Sequence, residues 1–237
     1  IALNEKRERI SVLNDYDSYL QKLEQQLAKK EKELAQISDE VSEIRQKSAV
    51  KLVSEIKSAL NDLNFLDVQF DMQFDRLPDY TANGIDAPEF LISTNPGEPL
   101  KPLGKVASGG ELSRIMLGIK TIMAENDHIE SLIFDEIDSG ISGRTAQMVS
   151  EKMNELGRNH QIICITHLPQ IAAMADAHFL IEKAVENKST VSRIRRLTDN
   201  DSVAELARML GGAKITDTVM ESAREMKALA MEKKVLS

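Results

Sequence analysis

Two adjacent acids, Asp135 and Glu136, follow the apolar run 132–134. At the carboxyl end of a buried parallel strand, side chains emerge into the crevice where α/β sheets bind ligands. Asp135 in that position can hold Mg²⁺, directly or through a water molecule. Glu136 can act as general base on an attacking water, a role that contributes about 10²–10⁴-fold to a reaction rate. The alternative is an acid pair that only caps the next turn; we favour the functional interpretation.

A glycine pair stands at the start of a predicted amphipathic helix, in the run Ser108-Gly109-Gly110-Glu111. The first backbone N–H groups of a helix bind anions because they lack an intrahelical acceptor and lie at the positive end of the helix dipole. Glycine lets a phosphate approach this backbone without a Cβ in the way. The alternative is an ordinary Gly-Gly loop with Ser108 as the helix cap. The run alone does not decide between these two interpretations.

A second apolar strand, predicted over 161–165, leads directly into Thr166 and His167. A histidine at such a strand end can contact a phosphate or help to place a water molecule. Between the two strands lies a loop that contains Ser139 and Gly140, followed by a helix predicted over 143–157. The three candidate elements therefore occur in a fixed order, and together they are much more specific than any one of them.

Residues 1–62 are predicted to form one long helix that carries a coiled-coil seam. Apolar or nearly apolar side chains recur at spacings of three and four residues over about five heptads. These positions are Leu13, Tyr16, Leu20, Leu23, Leu27, Leu34, Ile37, Val41 and Ile44. After Ser48 the seam shifts to Leu52, Ile56, Leu60 and Leu63, where we expect the helix to join a globular body. The arm would be roughly 70–90 Å long; a solvated helix or a non-specific oligomer is the alternative.

Residues 63–237 are predicted to form that body. Strands are expected over 67–74 and 89–93. The loops around them are interpreted from the prolines at 78, 88, 96, 99 and 102 and the glycines at 84, 97 and 104. A short helix is expected over 169–175, followed by strands over 178–181 and 190–197. Two later helices are expected to begin at capping boxes, Ser202–Glu205 and Thr218–Glu221, and Gly211-Gly212 to end the first.

The composition narrows the function classes. The chain has 237 residues, a net charge of −8, and 29% charged but only 4% aromatic residues, a balance typical of long solvated helices. The negative charge gives no general sign of a nucleic-acid-binding surface. The single cysteine, Cys164, excludes an internal disulfide and fits a reducing cytosol. No apolar run approaches the roughly 20 residues of a membrane span, so no membrane partner is predicted.

The phosphate-binding pattern G-x-x-x-x-G-K-[ST] does not occur in this sequence. The nearest match, Gly104-Lys105-Val106, lacks the upstream spacing and the hydroxyl that would hold Mg²⁺. The sequence also starts at Ile1, within a helical pattern. We therefore expect the chain to be a fragment from which an N-terminal part has been removed.

The ordered motifs resemble those of the ABC-type ATPases, with Ala107–Glu111 as the signature loop and Leu132–Glu136 as the Walker B strand. The long helix ahead of them points to the SMC-like branch, in which a coiled-coil arm divides the head. Four longer runs are similar to the RecN family of bacterial DNA repair proteins. They are KVASGGELSRIML (105–117), FDEIDSGISGR (134–144), ITHLPQIA (165–172) and LARMLGG (206–212), and the similarity covers roughly residues 64–237. Ser142 stands where many ABC members have Asp, a departure that RecN-like sequences share.

The resemblance implies an α/β fold, the C-terminal lobe of an ABC/SMC-type P-loop ATPase head preceded by a long coiled-coil helix. It implies a cytoplasmic, nucleoid-associated bacterial ATPase that acts in recombinational repair of DNA double-strand breaks. ATP and Mg²⁺ would be its cofactors. Its partners would be DNA, a second head of a homodimer, and its own N-terminal half, which carries Walker A and the ascending coiled-coil arm. The chain alone is expected to be inactive because Walker A is absent.

The resemblance also implies roles for single residues. In such families two heads enclose ATP between them, so one head completes the site of the other. The signature residues Ser108, Gly109, Gly110 and Glu111 would meet the γ-phosphate of the nucleotide held by the second head. The head's own nucleotide would be served by a further set of residues. These are Asp135 for Mg²⁺, Glu136 and His167 for catalysis, and Ser139 and Gly140 in the loop after Walker B.

Two other interpretations stay open. One is a coiled-coil scaffold with an ATPase-like body that never hydrolyses ATP, although the intact Asp135, Glu136 and His167 argue against it. The other is a different SMC- or ABC-type ATPase. Within that class a transporter subunit is disfavoured by the coiled coil and by the lack of an obvious membrane-coupling segment.

Overall fold

A computed structural model of the chain describes residues 2–106, 108–124, 129–186, 189–212 and 214–236. The helices in these ranges are α1 (Ala2–Asp62), α2 (Gly109–Met123), α3 (Gly143–Leu156), α4 (Pro169–Ala173), α5 (Asp199–Gly211) and α6 (Asp217–Leu236). The strands are β1 (Gln69–Thr81), β2 (Gly84–Ser93), β3 (Lys101–Pro102), β4 (Ser131–Phe134), β5 (Gln161–Cys164), β6 (Phe179–Glu186) and β7 (Ser189–Arg196). Helices and strands alternate from α2 to β6, as the α/β pattern predicts, and β7, α5 and α6 follow.

Helix α1 is continuous over 61 residues, in agreement with the predicted long helix. It ends where Asn64 takes the left-handed conformation, with φ of 68°. Asparagine tolerates this conformation better than most residues, and a left-handed residue commonly terminates a helix. The backbone N–H groups of Leu63 and Phe65 then donate to the carbonyl of Leu60, at 3.0 and 3.1 Å.

Most side chains of the predicted seam of α1 are exposed to solvent. They are Tyr16, Leu20, Leu23, Leu27, Leu34, Ile37 and Ile44, while the side chain of Leu13 lies outside the described residues. A row of apolar side chains at heptad spacing along one helix is the surface that a second helix covers in a coiled coil. The seam is therefore available for such a helix.

The chain divides into two compact units. The first comprises Ile1–Leu52 and Met72–Glu89, and the second comprises Val53–Asp71 and Phe90–Ser237. Helix α1 and strands β1 and β2 each contribute to both. The predicted division into an arm over 1–62 and a body over 63–237 stays a prediction.

Polar contacts hold the first unit together. Asp86 of β2 accepts hydrogen bonds from the hydroxyl of Ser42 at 2.7 Å and from Nη1 of Arg45 at 3.0 Å. Arg76 of β1 also pairs with Asp39 of α1. Because the side chain of Asp86 is only 2% exposed, its charge requires these donors. The contacts join the helix to the hairpin within this unit.

The second unit has an apolar core that begins with the last turns of α1. Ile56, Leu60 and Leu63 are fully buried, which agrees with the shift of the seam after Ser48. Gly118 of α2 leaves space for them, since a Cβ built there would lie 3.1 Å from Cδ2 of Leu60. A further buried cluster joins α4, α5 and α6 around Leu206. This core supports the elements that carry the candidate site.

Three small sheets are formed, with orders β1-β2-β3, β4-β5 and β6-β7. The interpretation of Pro78, Gly84, Pro88 and Pro102 as loop residues is wrong, because all four lie within strands. Proline is tolerated where no ladder hydrogen bond is required of it. Pro78 and Pro102 lie on the outer strands, and β3 pairs with β2 at Leu91 and Ile92, beyond Pro88.

Strands β4 and β5 form a parallel pair in which Phe134 stands opposite Cys164. One consequence of the pairing is that both strands end at the same edge. Ile133, Ile163 and Ile165 are 69%, 46% and 53% exposed. Parallel sheets are normally covered on both faces, so this apolar surface is incomplete as it stands.

Two predicted capping boxes are corrected by the structure. Helix α5 begins four residues earlier than Ser202–Glu205 would place it, at a capping box of Thr198 and Asp201. Ser202 instead lies within the helix, where its hydroxyl contacts Nδ1 of His178 at 2.9 Å. Helix α6 is preceded by Thr216, whose hydroxyl accepts from the N–H of Val219 at 3.4 Å. In both places a threonine nearer the loop caps the helix, since its own backbone is free to leave the helical conformation. Gly212, with φ of 64°, ends α5 as predicted.

Candidate functional site

The acid pair lies where the sequence predicts it, directly after the last residue of β4. The pairing of the two strands continues for one step, with the N–H of Ile165 donating to the carbonyl of Phe134 at 3.0 Å. Asp135 and Glu136 follow at the carboxyl end, and both are exposed. The parallel register therefore brings the acid pair and the segment that leads to His167 to one edge of the sheet.

Glu136 has an unusual backbone conformation. Its φ is 57°, in the left-handed region that few residues other than glycine, asparagine and aspartate adopt. Two hydrogen bonds support the turn: its N–H donates to Oδ1 of Asp135 at 2.9 Å, and its carbonyl accepts from the N–H of Ser139 at 2.9 Å. Strained backbone of this kind is concentrated at functional sites, where the surroundings hold it in place. The conformation determines the direction in which the Glu136 carboxylate leaves the strand.

The glycine run opens α2, and Ser108 is its N-cap. The Ser108 hydroxyl accepts from the N–H of Glu111 at 3.4 Å, so the helix-cap interpretation is realised. The cap engages the N–H of Glu111 at an exposed helix start, so it is compatible with an anion site formed by the preceding N–H groups. Ala107, the first residue of the motif, lies outside the described residues.

The start of α2 packs directly on the loop that follows the acid pair. A Cβ built on Gly110 would lie 2.9 Å from the Glu136 carbonyl oxygen and 2.9 Å from Cβ of Ser139. A Cβ on Gly109 would lie 2.6 Å from Oε2 of Glu136. Real Cβ atoms do not approach backbone atoms this closely, so Gly110 requires glycine for packing, whereas at Gly109 the contact is with the flexible end of the Glu136 side chain. Ser113 adds a hydrogen bond from its hydroxyl to the Asp135 carbonyl at 2.9 Å.

Arg114 is a structural part of the site that sequence reasoning missed. This residue of α2 is 7% exposed and donates from Nη1 to the carbonyls of Ile137 and Ser139, at 3.3 and 3.0 Å. Its guanidinium lies 5.5 Å from the ring centroid of Phe65, within the range of a cation–π contact. Burial lowers the pKa of Arg114 from its ordinary value, and the nearby Glu111 opposes that change. The signal in the sequence for a buried role was a charged residue directly before the apolar Ile115.

Asp138 is a second residue that received no role from the sequence. Its side chain is 4% exposed, and its Oδ2 accepts from the hydroxyl of Thr166 at 2.6 Å and from the N–H of His167 at 2.7 Å. The same oxygen lies 3.0 Å from Nδ1 of His167. The acid loop and the histidine segment are therefore joined by one carboxylate. The signal in the sequence was a third acid two residues after Glu136.

The structure places the other predicted residues as follows. The side chain of His167 is 72% exposed, and Ser139 and Gly140 are exposed in the loop, where Gly140 has φ of 74°. Two sets of predicted residues are brought together: the glycine pair with Glu136 and Ser139, and His167 with the loop through Asp138. Their roles stay predictions.

Cys164 lies at the end of β5, close to these acids. Burial raises the pKa of its thiol to about 12, and the negative charges of Asp138 and Asp135 act in the same direction. The thiol is thus protonated at neutral pH and is a poor nucleophile. We assign it no chemical role.

The donor set fits a nucleotide phosphate and a hard cation. The exposed start of α2 offers backbone N–H groups to an anion, and Asp135 offers carboxylate oxygens, the ligands that Mg²⁺ prefers. Among the described residues, no group of three or more His, Cys, Asp or Glu side chains is arranged to hold a metal ion. Mg²⁺ would therefore take its remaining ligands from the nucleotide, from water or from other parts of the site.

The chain is similar to curated bacterial proteins over most of its length. It is 42% identical over 234 residues to "DNA repair protein RecN" of Bacillus subtilis, a match that covers 92% of this chain and 41% of that protein. It is 40% identical over 227 residues to the protein of the same name from Halalkalibacterium halodurans, covering 94% of this chain and 40% of that protein. The chain thus spans about two-fifths of the length of these relatives. No protein-family model matches it.

A solved structure supports the fold. An Smc head domain with a coiled coil and joint from Pyrococcus yayanosii is 20% identical, with a TM-score of 0.50. The match covers 69% of this chain and 29% of that one. At this identity the likeness concerns the fold alone, and it confirms the predicted fold class, a part of an SMC-type head after a long helix. None of the helices within the described residues has the length and apolar character of a membrane span.

Proposed function

Since the chain belongs to the RecN family of DNA repair proteins and matches the C-terminal part of its members, we propose that it is one half of an ATP-hydrolysing, SMC-like head. The whole protein would act in recombinational repair of DNA double-strand breaks, as a cytoplasmic, nucleoid-associated protein that contacts DNA. The other half of the head would supply the Walker A loop and the ascending coiled-coil helix. Helix α1 would be the descending helix that pairs with it through the exposed seam.

The packing of the glycine pair on the acid loop carries this proposal. Gly110 has no room for a Cβ against the backbone of Glu136 and Ser139, and Gly109 lies directly beside the Glu136 carboxylate. A loop that only turned the chain would not need the backbone of α2 this close to a strained acidic residue. The geometry gives the exposed helix start and the exposed carboxylates fixed relative positions, which is what a phosphate site requires.

Each residue then has a defined task in the proposed reaction. Mg²⁺, when bound, would neutralise charge that develops on the phosphates. Asp135 would hold the ion, Glu136 would take a proton from the attacking water, and His167 would contact the γ-phosphate or place that water. Ser108, Gly109, Gly110 and Glu111 would act on the nucleotide of the second head, and Ser139 and Gly140 would line the loop between the two sites.

The exposed face of β4 and β5 supports the need for a second polypeptide segment. A two-stranded parallel sheet with Ile133, Ile163 and Ile165 open to solvent is unusual for an isolated fold. The N-terminal half of the head would extend and cover this sheet. It would thereby bring a Walker A loop to the edge where Asp135 and Glu136 emerge.

Complementation tests the proposal. ATP hydrolysis would be measured with this chain alone, with a polypeptide that carries the N-terminal half of a RecN protein, and with both together. We expect turnover only in the mixture, rising with the square of head concentration when heads are dilute, because two heads complete each site. The control is the same mixture with the Walker A lysine replaced. ATP binding without any hydrolysis in the mixture would contradict the proposal and favour a non-hydrolysing scaffold.

A further inference from the structure

We infer that Asp138 is a positioning residue that fixes the orientation and the tautomer of the His167 ring. The contrast in exposure motivates this inference, since the carboxylate is 4% exposed and the imidazole it contacts is 72% exposed. The exposed ring has few neighbours that could hold it by packing. Its orientation therefore depends on the buried group at its base. The catalytic consequence rests on the proposed function, whereas the assignment of the ring itself does not.

Two hydrogen bonds and one ring nitrogen converge on a single oxygen of Asp138. Oδ2 accepts from the Thr166 hydroxyl at 2.6 Å and from the backbone N–H of His167 at 2.7 Å, and it lies 3.0 Å from Nδ1 of the same histidine. A carboxylate oxygen at this distance favours the ring form with the hydrogen on Nδ1, because a lone pair on Nδ1 would face the negative charge of the acceptor. In the neutral ring the hydrogen is then absent from Nε2, which is left with a lone pair.

Both sides of this contact are held in place. Arg114 donates to the carbonyls of Ile137 and Ser139, the two residues that flank Asp138. On the other side, the Thr166 hydroxyl accepts from the N–H of Leu168 at 3.0 Å while it donates to the carboxylate. Two hydrogen bonds to Asp138 join the loop to the histidine segment, and further hydrogen bonds from Arg114 and Leu168 support each side. A carboxylate supported in this way can impose a tautomer on the ring it contacts.

The tautomer separates two tasks for His167. A neutral ring with a lone pair on Nε2 accepts a hydrogen bond, so it can orient a water molecule through one of its O–H groups. It cannot donate a hydrogen bond to a phosphate oxygen from that nitrogen. The geometry thus assigns the neutral ring to placing the water from which Glu136 would take a proton.

Nitrogen NMR of the ¹⁵N-labelled chain tests the assignment without nucleotide. At pH 8, where an ordinary histidine is neutral, long-range ¹H–¹⁵N spectra distinguish the two tautomers from the imidazolium, and His167→Gln identifies the signal. We expect the Nδ1–H form in the parent and a shift towards the Nε2–H form in Asp138→Ala. Asp86→Asn, a change at another buried carboxylate, should leave the His167 signal unmoved.

Several results would overturn the inference. One is an NMR spectrum of the parent at pH 8 that shows His167 as the Nε2–H tautomer or as the imidazolium. Another is a folded Asp138→Ala chain in which the His167 tautomer is unchanged. If Asp138→Ala does not fold, Asp138→Asn keeps the volume of the side chain and should still weaken the preference for Nδ1–H. The parental spectrum decides the assignment of the ring even without a variant.

A kinetic arm tests the consequence for hydrolysis in the completed head. Removal of a carboxylate that orients a metal-ligating histidine typically costs about 10–100-fold in metal affinity or activity, and we take the same order for His167. We expect Asp138→Ala to lower kcat by that factor, to leave KM for ATP within about 2-fold, and to cause no further loss in a His167→Gln background. A further loss in that background would show that Asp138 does not act through His167. If the parental head fails to hydrolyse ATP, the proposed function fails while the NMR result still decides the inference.

Discussion

Each of the two units contains a buried aspartate side chain, Asp86 in the first and Asp138 in the second, and the units compensate its charge in different ways. In the first unit, Asp86 is 2% exposed and faces the permanent positive charge of Arg45 together with the Ser42 hydroxyl. In the second unit, Asp138 is 4% exposed and faces a hydroxyl, a backbone N–H and an imidazole. One carboxylate has a permanent cation as partner, and the other has a group that can gain, lose or relocate a proton.

The difference separates a structural use of a buried charge from a functional one. A guanidinium cannot be deprotonated in a protein, so Arg45 presents a constant charge to Asp86, and the contact serves to join helix and hairpin. An imidazole has two neutral tautomers, so the Asp138 contact selects one of them. Substitutions in the first unit should therefore change stability, and substitutions around Asp138 should change chemistry.

The largest effect is expected at the acid pair. In the completed head, Glu136→Gln should lower ATP hydrolysis by about 100–10,000-fold, because the amide cannot take a proton from water. ATP-driven pairing of the heads should persist, since the variant keeps the shape of the side chain. Steady-state kinetics and light scattering would measure the two properties. Glu221→Gln, at an exposed helix position with a side chain 76% open to solvent, is the control; hydrolysis at the parental rate by Glu136→Gln would refute the general-base assignment.

The next largest effect is expected when Gly110, the buried glycine at the start of α2, is replaced. Gly110→Ala should destabilise the second unit by about 1–3 kcal/mol, because the new Cβ meets backbone atoms of Glu136 and Ser139 that cannot move away easily. Gly109→Ala should cost less, since its Cβ meets only the flexible carboxylate end of Glu136. Urea unfolding measures both, and Gly104→Ala, with no atom within 4 Å of the new Cβ, is the matched control. Equal stability of Gly110→Ala and Gly104→Ala would show that the packing is looser than described.

The first unit should respond to loss of charge at Asp86. The hydrogen bond from Ser42, and then the hydrogen bond and charge of Arg45, lower the pKa of this carboxyl below its ordinary value of 3.8. A lowered pKa means that the stabilisation is present above about pH 4 and is lost as the pH falls through the folded-state value. We expect Asp86→Asn to cost about 1–3 kcal/mol at pH 7, measured by urea unfolding.

The difference in free energy of unfolding between the parent and Asp86→Asn should shrink as the pH is lowered below about 4. A gap that stays constant down to pH 2 would mean that the charge of Asp86 contributes nothing to stability. The same variant should leave hydrolysis by the completed head unaltered, which is the outcome that the comparison with Asp138 requires.

The smallest effect is expected at Cys164, whose thiol senses the charge of Asp138. Burial is the largest cause of the raised thiol pKa of about 12, and the negative charge of Asp138 is the second largest. Asp138→Asn should therefore lower the thiol pKa and raise the alkylation rate at fixed pH on the order of 3–10-fold, and Asp86→Asn should not change it. The pH dependence of iodoacetamide labelling reports the pKa directly. An unshifted pH profile in Asp138→Asn would contradict the electrostatic part of this account.

Periodic features were the ones that could be predicted from the residues. The apolar spacing of α1 predicted a helix that does end at Asp62, and the apolar run before Asp135 predicted β4. Both depend on patterns that repeat along the chain, where each residue adds to the same signal. The position of the acid pair at the carboxyl edge of the sheet could also be predicted, because β4 and β5 were expected to be parallel.

Features that depend on contacts across the fold could not be predicted. Arg114 and Asp138 act through partners 23 to 29 residues away, on other elements. The local signals, a charge directly before Ile115 and a third acid after Glu136, do not show which distant partner each side chain meets. The prolines in β1 and β2 were misjudged for a related reason, since their tolerance depends on which side of the strand is paired. The helix caps were missed by a few residues because several hydroxyl residues near each start were eligible.

The left-handed backbone of Glu136 has a consequence for evolution and design. Such a conformation costs a non-glycine residue roughly 1–2 kcal/mol, so a search for stabilising substitutions should select glycine at this position. The same substitution would remove the proposed base. Consider two libraries of this chain, one selected for thermal stability and one for turnover in the completed head. Their sequences should diverge most at position 136, which would mark the trade-off between stability and activity.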